Sequence, residues 1–225
     1  VVGEDFPDRY VEFLRRKGIN LASLIKEKGK TFHWQGEYSG DLNTALTIKT
    51  DLGVLASFKP RVSNEQKNIK HVFLANVDPE IQKDLLKLLN PPKLVAVDSM
   101  NYWINHKRKA LLSLLKDVDI YVANDQEARS LSGETNLIKA AMALRKLGPK
   151  MILIKKGEHG VLFYSDNIKA SLPAYPACRV IDPTGAGDTF AGGFMGYLSG
   201  SRKVNAKSIK EALACGTVAA SFNIE

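Results

Sequence analysis

Asp182-Pro183-Thr184-Gly185-Ala186-Gly187-Asp188-Thr189-Phe190-Ala191-Gly192-Gly193-Phe194 is the most informative stretch of this 225-residue chain. Its small residues let backbone N–H groups approach an anion closely, at the positive end of the helix that the apolar run predicts. Asp188 sets a proton acceptor on the first turn of that helix, beside the same anion. A cradle next to a base is an arrangement for phosphoryl transfer to an alcohol. Gly185-Ala186-Gly187 alone is a weak signal, because a turn needing positive φ explains any one glycine. Nor is it a dinucleotide fingerprint: Phe190 stands where the third small residue would be, and no early βαβ unit carries it. The Gly-x4-Gly-Lys-Ser/Thr phosphate loop is absent as well. The complete string, with an acid at each end and Gly192-Gly193 a turn later, carries the catalytic reading; the competing reading makes its acids helix caps.

Outward from the string, strands alternate with helices. Short apolar strands are expected at His71–Ala75, Leu94–Val97, Ile120–Ala123 and Met151–Ile154, with an antiparallel strand at Val161–Tyr164. Helices are expected from Asp78-Pro79 to Leu89, onward from the second strand to Lys116, at Asp125–Leu131, and from Asn136 to Leu147 before Gly148-Pro149. Two more follow, from the glycine string to Leu198 and from Lys207 to Ala220. This alternation implies a mainly parallel sheet covered on both faces. Ligands of such sheets bind at the carboxyl ends of the strands. Asp98, Asn124 and Lys155 lie at or just past such ends, and a short extended stretch, Arg179–Ile181, leads into the glycine string. The N-terminal third reads differently. Phe6–Lys17 has helical spacing, with Gly18 as a stop. Thr31–Tyr38 and Leu42–Thr50 read as a β-ribbon turning at Ser39-Gly40-Asp41, and Leu52–Pro60 continues extended.

The composition, 44% apolar and 25% charged, is that of a soluble globular protein, and no stretch reaches the roughly 20 apolar residues of a membrane span. The net charge of +8 is spread over many segments, so a solvated surface is preferred to a nucleic-acid patch. A basic balance also suits anionic small substrates. Cys178 and Cys215 have neither metal nor redox spacing and read as reduced thiols of a cytoplasmic protein. One domain over residues 1–225 is the expectation. Val1-Val2-Gly3-Glu4-Asp5 reads as a strand end running into a helix, so an N-terminal truncation is expected.

The string Asp182–Phe190 resembles the C-terminal signature of the ribokinase-like (PfkB) family of carbohydrate and nucleoside kinases. The similarity extends over most of the chain: ribbon, βα units, Asn124-Asp125-Gln126-Glu127 for Asn-x-x-Glu, Lys156-Gly157-Glu158-His159-Gly160, then the signature. It implies a three-layer α/β/α fold with a β-ribbon lid at about 31–60, partly missing here. It implies ATP and Mg2+, with the γ-phosphate passing to a hydroxymethyl group of a sugar or nucleoside. Asp188 is then the general base, and Gly185, Ala186 and Gly187 form the anion hole. Asn124, Lys155, Lys156, Gly157, Gly160 and Gly216 join Gly185 and Gly187 as nucleotide-binding positions. Glu127 holds Mg2+ through water, with Asp98 near the same metal, and Asp182 and Thr184 contribute to a monovalent cation site, K+ in kind.

Simpler readings stand beside these. Glu127 fits an acid in a capped first turn, Asp98 a strand-end cap, Lys156 a solvated hairpin lysine and His159 a turn residue. Many relatives carry Thr where Lys155 stands; a lysine there would neutralise phosphate charge. The family's N-terminal substrate-recognising region has no counterpart in this chain. Trp34 and Trp103 fit the core, although His33, Trp34 and Tyr38 belong to the lid. The lid also offers a surface for homodimerisation. A non-catalytic nucleotide or sugar sensor on the same scaffold is the alternative to a kinase.

Overall fold

A computed structural model describes residues 1–38, 40 and 45–225. It divides into two compact units, one formed by Val1–Asn68 with Asp84–Asn90 and the other by Ile69–Lys83 with Pro91–Glu225.

In the first unit, β1 (Val2–Gly3) pairs in parallel with β2 (Lys26–Glu27), and α1 spans Asp8–Arg16 between them. The expected apolar side of α1 does not become core, since none of its residues is buried. The ribbon forms from β3 (His33–Tyr38) and β4 (Ala45–Asp51), antiparallel, with a register shift at Gln35/Gly36. Trp34 Nε1 donates to Thr47 Oγ1 across it at 3.1 Å. Ser39 and Asp41 of the expected turn, and Leu42–Thr44 of the second expected ribbon strand, lie outside the described residues. Leu52–Pro60 is not extended throughout. Gly53–Ser57 is a 3-10 turn, entered with Gly53 at φ 49°, and the Val54 N–H donates to the Lys30 carbonyl at 2.8 Å.

The second unit is built on a six-stranded sheet. Its strands are β5 (His71–Leu74), β6 (Leu94–Asp98), β7 (Ile120–Asn124), β8 (Met151–Lys155), β9 (Val161–Tyr164) and β10 (Lys169–Leu172). They lie in the order β10-β9-β8-β7-β6-β5. The first four are parallel, while β9 and β10 are antiparallel to their neighbours. Strand β10 was not expected from the sequence. Arg179–Ile181, expected to be extended, joins no strand pair; instead the Ile181 N–H donates to the Ile224 carbonyl at 2.7 Å.

The helices α2 (Pro79–Lys87), α3 (Asn101–His106), α4 (Arg108–Leu115), α5 (Asp125–Ser132), α6 (Leu137–Arg145), α7 (Ala186–Gly200) and α8 (Ala206–Ile224) complete the chain. The single helix expected before Lys116 is two helices. They break at Lys107 (φ −128°, ψ 35°), whose ammonium reaches back to Asp78 at 2.7 Å and to Glu80. No helix among the described residues is long and apolar enough to cross a membrane.

Strand parity decides which helices each residue meets. Leu94 and Ala96 of β6, Ile120 and Val122 of β7, and Leu153 of β8 pack with Phe190, Phe194 and Leu198 of α7 and Ile209 and Leu213 of α8. Alternate residues, Val95, Val97, Tyr121, Ala123, Ile152 and Ile154, are buried on the opposite face, where α5 and α6 lie against β7 and β8. A sheet covered on both faces needs these near-continuous apolar runs. The two helices of the first face meet closely at glycine: a Cβ on Gly193 would lie 3.0 Å from Gly216 Cα.

Candidate active site

Parity also assembles the site. Asp98 continues the phase of Leu94 and Ala96, Asn124 that of Ile120 and Val122, and Lys155 that of Leu153. All three stand at the carboxyl ends of adjacent parallel strands, with Asp98 opposite Val122 and Asn124 opposite Lys155 in the ladders. All three are therefore in phase with the face that α7 covers.

Helix α7 starts at Ala186 from a Gly185 cap in the left-handed region (φ 81°), without a side-chain cap bond. Glycine is the residue that takes this conformation at least cost. The cap reading of Asp188 is therefore not realised. Its carboxylate is exposed and takes part in no hydrogen bond or salt bridge among the described residues. The Ala186 N–H is turned onto the Pro183 carbonyl (3.1 Å), and the Thr189 N–H closes the first helical bond onto Gly185 (2.8 Å). That leaves the N–H groups of Gly187 and Asp188 unpaired among the described residues, at the positive helix end. Gly187 also makes room for Lys155: a Cβ there would lie 2.7 Å from its Nζ. Among the described residues Lys155 forms no salt bridge.

Beneath this, Asp98 is 4% exposed and its Oδ1 has no hydrogen-bond partner among the described residues. Helix α3 is capped at Met100 without a side-chain bond, so the cap reading of Asp98 is not realised either. Burial drives its pKa up to about 7; Lys155 opposes the rise, and Asp188 and Glu127 add to it. Glu127 does form the cap that the simpler reading gave it. Its Oε2 accepts from the Asn124 N–H (2.8 Å), and Asn124 Oδ1 accepts from the Glu127 N–H (2.7 Å). At 8% exposure, desolvation raises its pKa as well. The charge of Lys155 acts on both buried carboxylates, and Asp188 acts on Asp98 in the opposite sense.

Gly157–His159 form a 3-10 turn between β8 and β9, flanked by Lys156 and Gly160, with the Lys156 N–H donating to the Gly160 carbonyl at 2.8 Å. Gly160 has φ 79°, and a Cβ there would run into the Leu172 carbonyl. Gly216 faces Phe190, whose carbonyl would lie 2.7 Å from a Cβ, so helix packing requires a glycine there. Asp182 Oδ1 accepts from the Thr184 N–H at 2.8 Å; hydrogen bonding to Thr184, side chain then backbone, holds its exposed carboxyl below the usual range. One residue had no signal in the sequence. Asn223, near the end of α8, donates from Nδ2 to the Thr184 carbonyl (2.8 Å) and accepts from Thr189 Oγ1 (3.0 Å).

The family model for pfkB family carbohydrate kinases matches residues 1–225. The chain belongs to the PfkB family. It is 30% identical over 204 residues to a cytidine kinase of Thermococcus kodakarensis, covering 88% of this chain and 72% of that protein. A nucleoside kinase of Methanocaldococcus jannaschii is 24% identical over the whole chain and 71% of its own length. The crystal structure of a Methanocaldococcus jannaschii nucleoside kinase, an archaeal member of the ribokinase family, superposes with a TM-score of 0.74 at 23% identity, covering 99% of this chain and 72% of the other. An adenosine kinase of Sinorhizobium meliloti superposes with a TM-score of 0.82 at 20% identity, covering 99% and 70%. At such identities the two superpositions establish the ribokinase-like α/β fold. As a PfkB member the chain is a nucleoside or carbohydrate kinase, a phosphotransferase acting on hydroxyl groups, and membership implies ATP with Mg2+.

Proposed function

We propose that this PfkB kinase transfers the γ-phosphoryl group of ATP to a hydroxymethyl oxygen, with Asp188 as general base. The observation that carries the reading is the exposed, unpaired Asp188 carboxylate, on the same turn as the unpaired N–H groups of Gly187 and Asp188. The acceptor O–H bond breaks as the oxygen–phosphorus bond forms. The proton passes to Asp188, and the bond from phosphorus to the β-phosphate oxygen breaks, releasing ADP. Gly187 and Asp188 donate to the oxygens of the transferring group, where negative charge is spread in the transition state. Gly185 and Ala186 shape that turn. Asn124, Lys155, Lys156, Gly157, Gly160 and Gly216 complete the proposed nucleotide-binding set.

Mg2+ fits the carboxylates beneath. Asp98 Oδ1 is buried without a donor, and a hydrated cation brings the water O–H groups that such an oxygen lacks. Glu127 and Asp98 would hold it, and its charge neutralises phosphate oxygens when bound.

The similarity to a cytidine kinase favours a nucleoside acceptor over a sugar. The reaction's ATP requirement favours the cytoplasm. A ribbon exposing Leu46 (67%) and Ile48 (57%) favours self-association, which light scattering would report as a dimer. The deciding test of the reaction is a phosphorylation screen with Mg-ATP against cytidine, other nucleosides, ribose and fructose. Transfer to a hydroxymethyl group is expected, cytidine first; no transfer to any of them overturns the reading.

A further inference from the structure

Asn223 lies 39 residues beyond Thr184 in the chain, yet its side chain spans the cap of α7. Its amide makes one bond on each side of Gly185. Nδ2 donates to the Thr184 carbonyl just before the left-handed residue, and Oδ1 accepts from the Thr189 hydroxyl in the first helical turn. A carbonyl can only accept, so the amide's orientation follows from its partner. A Cβ on Gly185 would lie 3.5 Å from Asn223 Oδ1, so the amide rests directly over the turn. The neighbouring Ile224 carbonyl holds the approach to the turn through the Ile181 N–H.

These bonds fall on the groups that the family resemblance assigns to a monovalent cation. Asp182 Oδ1 accepts from the Thr184 N–H, and the Thr184 carbonyl accepts from the Asn223 amide. We infer that Asn223 is the positioning residue of the anion loop and does with neutral hydrogen bonds what a bound K+ would do at Asp182 and Thr184. The Thr184–Gly185 peptide and the first turn of α7 are set by one amide. The directions of the Gly187 and Asp188 N–H groups follow from that turn. The inference rests on the kinase reading for its rate consequences, but not for its structural ones.

The test compares wild type with Asn223→Leu, Thr189→Val and Thr189→Ser, using Mg-ATP and cytidine or the acceptor found in the screen. Asn223→Leu is expected to lower kcat roughly 10- to 100-fold with KM for ATP within about threefold, because misdirected donors weaken the transition state more than the ground state. Thr189→Val should lose less, and Thr189→Ser should recover most of that loss. Wild-type turnover should agree within about twofold in K+ and tetramethylammonium buffers, since RT ln 2 is small beside a lost donor. Amide hydrogen exchange at Ala186 and Thr189, whose N–H groups bond the Pro183 and Gly185 carbonyls, should be faster in Asn223→Leu whether or not any acceptor is phosphorylated. If wild type turns over no acceptor, the kinase reading fails and exchange alone decides the inference. Wild-type exchange and kcat in Asn223→Leu, a Ser variant no better than Val, or strong K+ dependence of wild type would each overturn it.

Discussion

Lys155 lies against Gly187, its ammonium nitrogen 2.7 Å from the place a Cβ would take. The glycine therefore makes room for a side chain from a neighbouring strand end. It admits a cation to the start of α7, where the helix dipole disfavours one and the buried Asp98 and Glu127 carboxylates favour it.

Gly187→Ala should separate activity from stability. Gly187 has no unusual φ, and Ala gains up to about 1 kcal/mol of helix propensity. The new methyl displaces Lys155, so kcat/KM should fall about tenfold or more while the melting temperature holds or rises. Steady-state kinetics beside a thermal melt checks this. Wild-type kinetics would mean that Lys155 has no need of that position.

Asp188→Asn should remove most turnover, by a factor of about 10²–10⁴, while leaving the fold intact. The carboxylate has no structural partner to lose among the described residues, so the melting temperature should not fall. Titration calorimetry should still register Mg-ATP with little change in affinity. Undiminished phosphorylation would remove Asp188 from the role of base.

Asp98 makes stability depend on pH. Its folded pKa of about 7 lies above the ordinary value of 3.8. From pH 3.8 up to about 7 the folded state keeps a proton that the unfolded chain has released, so stability falls as pH rises through that window. Below it, both states are protonated and nothing is lost. Asp98→Asn should therefore gain on wild type as pH rises, by up to roughly 4 kcal/mol at pH 8. Urea unfolding across this range measures the gap; a gap that does not widen contradicts a buried, unpartnered carboxylate.

Gly160→Ala should destabilise by at least about 2 kcal/mol, because a Cβ must fit both a left-handed φ and the space of the Leu172 carbonyl. The urea midpoint should shift down with an unchanged slope. A neutral substitution would show that the β8–β9 turn relaxes freely.

The parallel half of the sheet was legible because strands β5–β8 are short apolar runs bounded by helix caps. Asp78-Pro79, Asn124 and Asn136 mark three helix starts, and both asparagines cap as their position predicts. Strand β10 escaped because Lys-Ala-Ser-Leu at a sheet edge alternates between exposed and half-buried, with no apolar run to detect. The α3–α4 break escaped because no Gly or Pro marks it; the tertiary ion pairs of Lys107 with Asp78 and Glu80 lie there instead. Within the site, Asp98, Glu127, Lys155 and Asp188 were visible as strand-end or first-turn residues. Asn223 was not, because an asparagine inside a long helix resembles any solvated position until the helix is docked on the loop.

The shared phase of Asp98, Asn124 and Lys155 makes the site frame-sensitive. Deleting or inserting a single residue within β6, β7 or β8 would exchange the two faces of that strand. The polar end group would turn toward the opposite face, and a core residue would turn toward the proposed nucleotide site. Length variation in this lineage is therefore expected to collect in the turns and the ribbon.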